Sequence, residues 1–172
     1  MKHSEIISSV LSPLADKPQQ AYMSNLLQVA DILQWILDQT GAATVKMASF
    51  SISEEFLRRL FFIEKSGLIK DIDIILDFKA TNKTLILWPF IEQTVRNCYL
   101  ASSHAKILLV GNDRWTVSVV MSQNLTRGNR FESGFISTSP EVFSTLSQQV
   151  DYVISNQSVP FHEVFSRTIG KN

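Results

Sequence analysis

Residues 103–124 read SHAKILLVGNDRWTVSVVMSQN, and this stretch decides the fold. Ile107 to Val110 is wholly apolar, Gly111-Asn112-Asp113 is turn chemistry, and Trp115 to Met121 is rich in β-branched residues. Two such runs around a polar turn predict a β-hairpin. The polar ends of the hairpin matter as much as its apolar strands. His104 and Lys106 stand two positions apart and share a face on extended backbone, as do Ser122 and Asn124. Antiparallel pairing brings both pairs to one end of the hairpin. Glu132 then opens a further strand, predicted over Glu132 to Thr138, and brings a carboxylate.

Upstream, Leu26, Val29, Ala30, Leu33, Ile36 and Leu37 recur at helical spacing, predicting a helix within Ala21 to Gln39. Ser24 or Asn25 is its expected cap, and Gly41 ends the run. A short strand is expected over Ala43 to Phe50. Ser53 then caps a helix with Glu54 and Glu55 in its first turn, running through Phe56, Leu57, Leu60 and Phe61 to Gly67. Asp71 to Phe78 alternates and then turns wholly apolar, as a central strand covered on both faces does. Thr81 or Asn82 is an expected cap for a helix toward Thr94 that Pro89 interrupts, and Arg96 to Leu100 is a strand candidate. Pro140 opens a last helix through Val142, Phe143, Leu146, Val150 and Val153. Helices alternating with strands, followed by a hairpin, predict an α/β fold, a mixed β-sheet flanked by helices on both faces. Residues 1–20 read as a loosely held N-terminal extension, and residues 21–172 as a single domain.

The chain has 172 residues, 45% of them hydrophobic and 19% charged, and its sixteen basic residues balance sixteen acidic ones. That length suits one domain, and a core large enough to need no disulfide or metal. Composition excludes a disordered or fibrous protein. Zero net charge argues against a surface that coats nucleic acid or an anionic membrane throughout. Between Arg96 and Arg130, however, five basic residues (Arg96, Lys106, Arg114, Arg127, Arg130) face one acidic residue, Asp113, a local +4. Cys98 is alone, the N-terminus is a poor secretory signal, and no run is long enough to span a membrane. A cytoplasmic protein with no membrane partner is the expectation.

Several chemistries are excluded by pattern. Three histidines (His3, His104, His162) and one cysteine supply no metal-ligand cluster. The phosphate-binding and dinucleotide-binding glycine motifs and the serine-hydrolase elbow are missing. What remains is the ordered set His104, Lys106, Ser122, Asn124 and Glu132. An ammonium and an amide suit non-bridging phosphate oxygens, and an imidazole suits nucleophilic attack or proton transfer. Singly, each residue reads more simply as a solvated strand end or a turn. Their order and spacing carry the signal. Arg127 and Arg130 flank the Ser122-x-Asn124 element and are candidate contacts to a nucleic-acid backbone. Trp35, Trp88 and Trp115 read as packing residues, and Asp71, Asp73 and Asp77 as strand-end charges.

The ordered set resembles the H-x-K, S-x-N, E signature of the phospholipase D superfamily. Ser103 to Val110, Ser122 to Thr126 and Asn129 to Glu132 more closely resemble small bacterial and phage-type phospholipase D-like proteins with a single motif copy. Upstream, Ser49 to Glu55 and Ile72 to Asp77 fit that family's strand–helix–strand lead-in, so the resemblance covers residues 25–155. The resemblance implies a phospholipase D-like fold and two motif copies facing each other across a twofold axis. One His attacks phosphorus to form a phosphohistidine, and the opposing His protonates the leaving oxygen. Lys and Asn hold phosphate oxygens, Glu orients a His, and no metal or other cofactor takes part. One copy per chain implies a homodimer across the His104 face. The implied activity is that of a phosphodiesterase, a nuclease.

Three departures stand out. Gly111 occupies the place of the family's aspartate, Met121 replaces the glycine before the serine, and the segment from His104 to Ser122 is longer than usual. Met121 is expected to crowd the floor of the site. These departures motivate a second reading, a weakly catalytic or inactive module that binds DNA or a phosphorylated ligand.

Overall fold

The computed structural model describes residues 3–80 and 86–169. Eight strands form one mixed sheet: β1 (Gln19–Ser24), β2 (Ala43–Ser49), β3 (Ile69–Asp77), β4 (Asn97–Ala101), β5 (Ile107–Gly111), β6 (Thr116–Met121), β7 (Glu132–Ser137) and β8 (Ser158–Pro160). Their order is β1-β7-β6-β5-β2-β3-β4-β8. The central trio β2, β3 and β4 runs parallel, and every other pair is antiparallel. The helices are α1 (His3–Val10), α2 (Val29–Thr40), α3 (Glu54–Lys65), α4 (Trp88–Thr94), α5 (Pro140–Asn156) and α6 (Phe161–Ile169).

Alternation along the strands sorts the side chains into two cores. Val45 and Met47 of β2, Leu108 and Val110 of β5, and Val117 and Val119 of β6 join the larger one, with α2, α3 and residues of α1 and α4. Their neighbours Ala48, Ile75, Ala101 and Leu109 point the other way, where α5 covers them with Phe143, Leu146 and Val150. The sheet is therefore flanked by helices on both faces, as expected, with α5 alone among the described helices forming the second layer.

The hairpin forms as read: Ile107 pairs with Val120 and Gly111 with Thr116. Asn112 builds its turn by accepting from the amides of Arg114 and Trp115, both at 2.9 Å. Ser53 caps α3 by accepting from the Phe56 amide at 3.2 Å, and Ser139 caps α5 by accepting from Val142 at 3.4 Å, with Pro140 in the first turn.

Three expectations need correction. Ala21 to Ser24 is strand, not helix: Gln20, Tyr22 and Ser24 are buried in alternation, and this two-residue period wins over the helical spacing that starts further on. Helix α2 begins at Val29, and the Gln28 amide donates to Asp31 Oδ2 at 2.9 Å, so Ser24 and Asn25 cap nothing. Residues 5–20 are not held loosely. Ile7, Leu11 and Leu14 are buried in the main core, and Gln20 is buried at the start of β1. Pro89 lies in the first turn of α4, where a proline has no intrahelical bond to lose, and a turn at Leu87 separates this helix from helical Ile86. The expected caps Thr81 and Asn82 lie outside the described residues. Strand β8 and helix α6 follow with no expectation behind them, and Phe161 is fully buried against the Trp88 ring, 4.8 Å between centroids.

Candidate active site

The carboxyl ends of the parallel strands β2, β3 and β4 meet the hairpin's polar end, the usual place for a site in an open α/β sheet. Each side chain there is held by a different element. His104 and Lys106 lie in the extended segment between β4 and β5. Asp77, at the end of β3, anchors that segment: its carboxylate accepts from the Ser103 amide at 2.9 Å and from the Lys79 amide at 2.7 Å. The Lys106 ammonium is 3.3 Å from His104 Nδ1 and donates to the His104 carbonyl at 2.9 Å. On the other side, the His104 imidazole meets the Phe50 ring, 5.5 Å between centroids at an interplanar angle of 56°. Both polar side chains are exposed or half-buried, and so open to a ligand.

Ser122 follows β6, and Glu132 begins β7. The Ser122 hydroxyl donates to Glu132 Oε2 and accepts from the Ser133 amide at 3.0 Å, closing the loop between the two strands. The intervening Gln123 is buried. Its amide oxygen accepts from the Tyr22 hydroxyl at 2.7 Å, and its nitrogen donates to the Leu27 carbonyl at 2.7 Å. Burial, and secondarily the nearby Glu132 charge, raise the Tyr22 pKa far above the ordinary phenol value, so the hydroxyl stays protonated as a donor. Tyr22 packs against Gly134, where an added Cβ would meet the phenol at 2.6 Å. With Gln123 turned inward, Ser122 and Asn124 are turned outward. Asn124 Oδ1 accepts from the Phe50 amide at 3.3 Å.

Asn124, Arg127, Arg130 and Glu132 line one cleft, together with Gln28, Gln123, Thr126 and Gly128. Arg127 also pairs with Glu55 of α3, 3.1 Å apart. Phe50 links this cleft to His104, because its amide holds Asn124 while its ring touches the imidazole. Met121 does not crowd the site, as had been expected: its side chain is buried in the main core. Glu132 engages Ser122 rather than His104 of its own chain. Among the described residues, no group of three or more His, Cys, Asp and Glu side chains is placed to hold a metal ion.

No protein-family model matches the chain, and no curated protein matches it in sequence. Solved structures do. The phospholipase D family member Nuc from Salmonella typhimurium superposes with a TM-score of 0.61 at 17% identity, covering 83% of this chain and 96% of that one. The chain has the phospholipase D-like fold. NucT from Helicobacter pylori matches at a TM-score of 0.56 and 14% identity, over 83% of this chain and 98% of its own. Polyphosphate kinase from Porphyromonas gingivalis matches at 0.60 and 12%, over 86% of this chain but 28% of its own length.

Within this phospholipase D-like fold, sequence reasoning passed over four residues at the site: Tyr22, Ser49, Phe50 and Asp77. Asp77 was read as a strand-end charge, yet it fixes the segment that carries His104. Its position at the carboxyl end of a buried strand was a usable signal. Tyr22 carried none, because its partner Gln123 is 101 residues away.

Proposed function

We propose that this chain is a metal-independent phosphodiesterase, acting on nucleic acid, in which His104 attacks phosphorus. The observation that carries the reading is the meeting of the His104–Lys106 pair with the Ser122–Asn124–Glu132 loop at one end of the sheet. His104 Nε2 would attack, forming a phosphohistidine, and the leaving oxygen would take its proton from a second imidazole. Water, giving a proton to that second imidazole, would then attack the phosphohistidine and break its P–N bond, returning both imidazoles to their starting states. Lys106 and the Asn124 amide would stabilise charge on the non-bridging oxygens, and Ser122 and Glu132 would complete the floor. Arg127 and Arg130 would bind flanking phosphates of the strand.

Each chain offers one imidazole at this place, so the second comes from a second copy and the working unit is a homodimer across the His104 face. An apolar surface beside the site supports this. Val120 and Phe135 are cross-strand neighbours, and both, with Met23 on the adjoining strand, are exposed on the part of the sheet that α5 leaves uncovered.

The test is cleavage of plasmid and single-stranded DNA by purified protein in EDTA, beside His104→Asn. The wild-type protein is expected to cleave, and the variant to lose at least about a thousandfold in rate, as when a covalent nucleophile is removed. Cleavage that the variant retains, or that EDTA abolishes, contradicts the mechanism.

A further inference from the structure

We propose that Ser49 is a positioning residue for the same site, setting which end of the Asn124 amide faces the ligand; this rests on the phosphodiesterase reading above. Ser49 ends β2 and is fully buried, so its hydroxyl cannot be there for solvent. It accepts from the Leu125 amide at 3.0 Å and donates to the Ser51 carbonyl at 2.8 Å. Asn124 Oδ1 lies 3.4 Å from the same oxygen. One hydroxyl therefore ties the loop after β2 to the residue that follows Asn124. Two backbone contacts reinforce the tie: Ser53 donates to the Leu125 carbonyl at 2.9 Å, and Ile52 bridges to Leu125 in parallel fashion.

This seam holds the Phe50 amide on Asn124 Oδ1 at 3.3 Å. With its oxygen occupied, Asn124 turns its NH2 group away from the seam, and that group makes no hydrogen bond among the described residues. The difference between the two ends is chemical. An NH2 group donates to phosphate oxygens, whereas a carbonyl oxygen in its place would repel them. The same loop puts the Phe50 ring against the His104 imidazole. Ser49 thus acts at one remove, through the Asn124 amide. It touches neither the ligand nor the reacting atoms.

The experiment is a double-mutant cycle on cleavage, using wild type, Ser49→Ala, Asn124→Ala and the double variant, each assayed well below its melting midpoint. Ser49→Ala is expected to lower kcat by about tenfold to a hundredfold, as small misplacements of a positioned group do, with KM changed less than about twofold. The double variant is expected to be no slower than Asn124→Ala alone, because Ser49 works through Asn124. Losses that multiply overturn the proposal. Asn124→Asp, which puts an oxygen where the NH2 group points, is expected to lose at least as much rate as Asn124→Ala; a wild-type rate in that variant also overturns it. A crystal structure of Ser49→Ala gives a readout independent of activity: the Asn124 amide is expected to be rotated, and an unmoved amide counts against the proposal. If the wild-type protein does not cleave, the phosphodiesterase reading has failed, and the crystal comparison still decides the role of Ser49.

Discussion

Gly111 shows how one residue can be chosen by packing where the chemistry of a family would choose another. The Phe143 ring of α5 lies so close that a Cβ at position 111 would sit 2.6 Å from the ring edge. An aspartate there would push a charge into the layer between sheet and helix, whose cost is high without a partner. Gly111→Ala is expected to destabilise the fold by about 1–3 kcal/mol, the usual cost of overpacking, while cleavage at permissive temperature persists. Denaturant midpoints of the two proteins check this, and an unchanged midpoint would remove the contact from the account. Gly111→Asp is expected to lose more. At this scale the sequence offers candidates where side chains are chemically distinctive, as for His104, Lys106, Asn124 and Glu132. It was opaque where a common polar side chain acts on backbone, as Ser49 and Asp77 do, because such partners are chosen only in three dimensions. Met121 was misread for a related reason: strand alternation turns it into the core, away from the cleft.

Elements with a clean period were legible, and those without were not. The hairpin β5–β6 and the capped helices α3 and α5 announce themselves through apolar runs, turn residues and serine caps. Strand β1 is six residues whose buried face is made of Gln20, Tyr22 and Ser24, not the apolar residues that mark a strand, and it lies next to a strongly helical pattern, so the helix reading extended over it. Strand β8 spans only three residues, too few to show a period. Helix α1 is eight residues and carries few apolar side chains, yet the segment after it inserts Leu11 and Leu14 into the core. That segment is tied at several points. Gln39 accepts from the Leu14 amide at 2.7 Å, and Gln20 accepts from the Ser12 amide at 2.9 Å. The N-terminal segment is consequently expected to be part of the cooperative fold. Leu14→Ala should cost about 2–5 kcal/mol, the range for truncating a large buried aliphatic side chain. A loss under about 0.5 kcal/mol in chemical denaturation, typical of surface positions, would show the segment to be an appendage instead.

For the molecule as a whole, balanced charge conceals a division of labour. Of the five basic residues between Arg96 and Arg130, Arg127 and Arg130 line the cleft and Lys106 lies at the same end of the sheet, whereas Arg96 before β4 and Arg114 in the hairpin turn lie at the other end. No helix among the described residues is long and apolar enough to cross a membrane. With one imidazole per chain at the site, activity is expected to belong to a dimer. Sedimentation should find a twofold species, and specific activity should fall on dilution as it dissociates. Full specific activity in a protein shown to be monomeric at assay concentration would refute the shared site. The bond between Tyr22 and Gln123 has a consequence for how such a site comes into being. It joins positions 101 residues apart, from the first strand to the loop that carries Asn124. Contacts of such separation are slow to form, because the intervening chain must be ordered before they repay its entropy. The loop therefore reaches its final shape late in folding, after β1 has docked beside β7, and a nascent chain still emerging from synthesis carries the His104 motif without yet carrying a finished site.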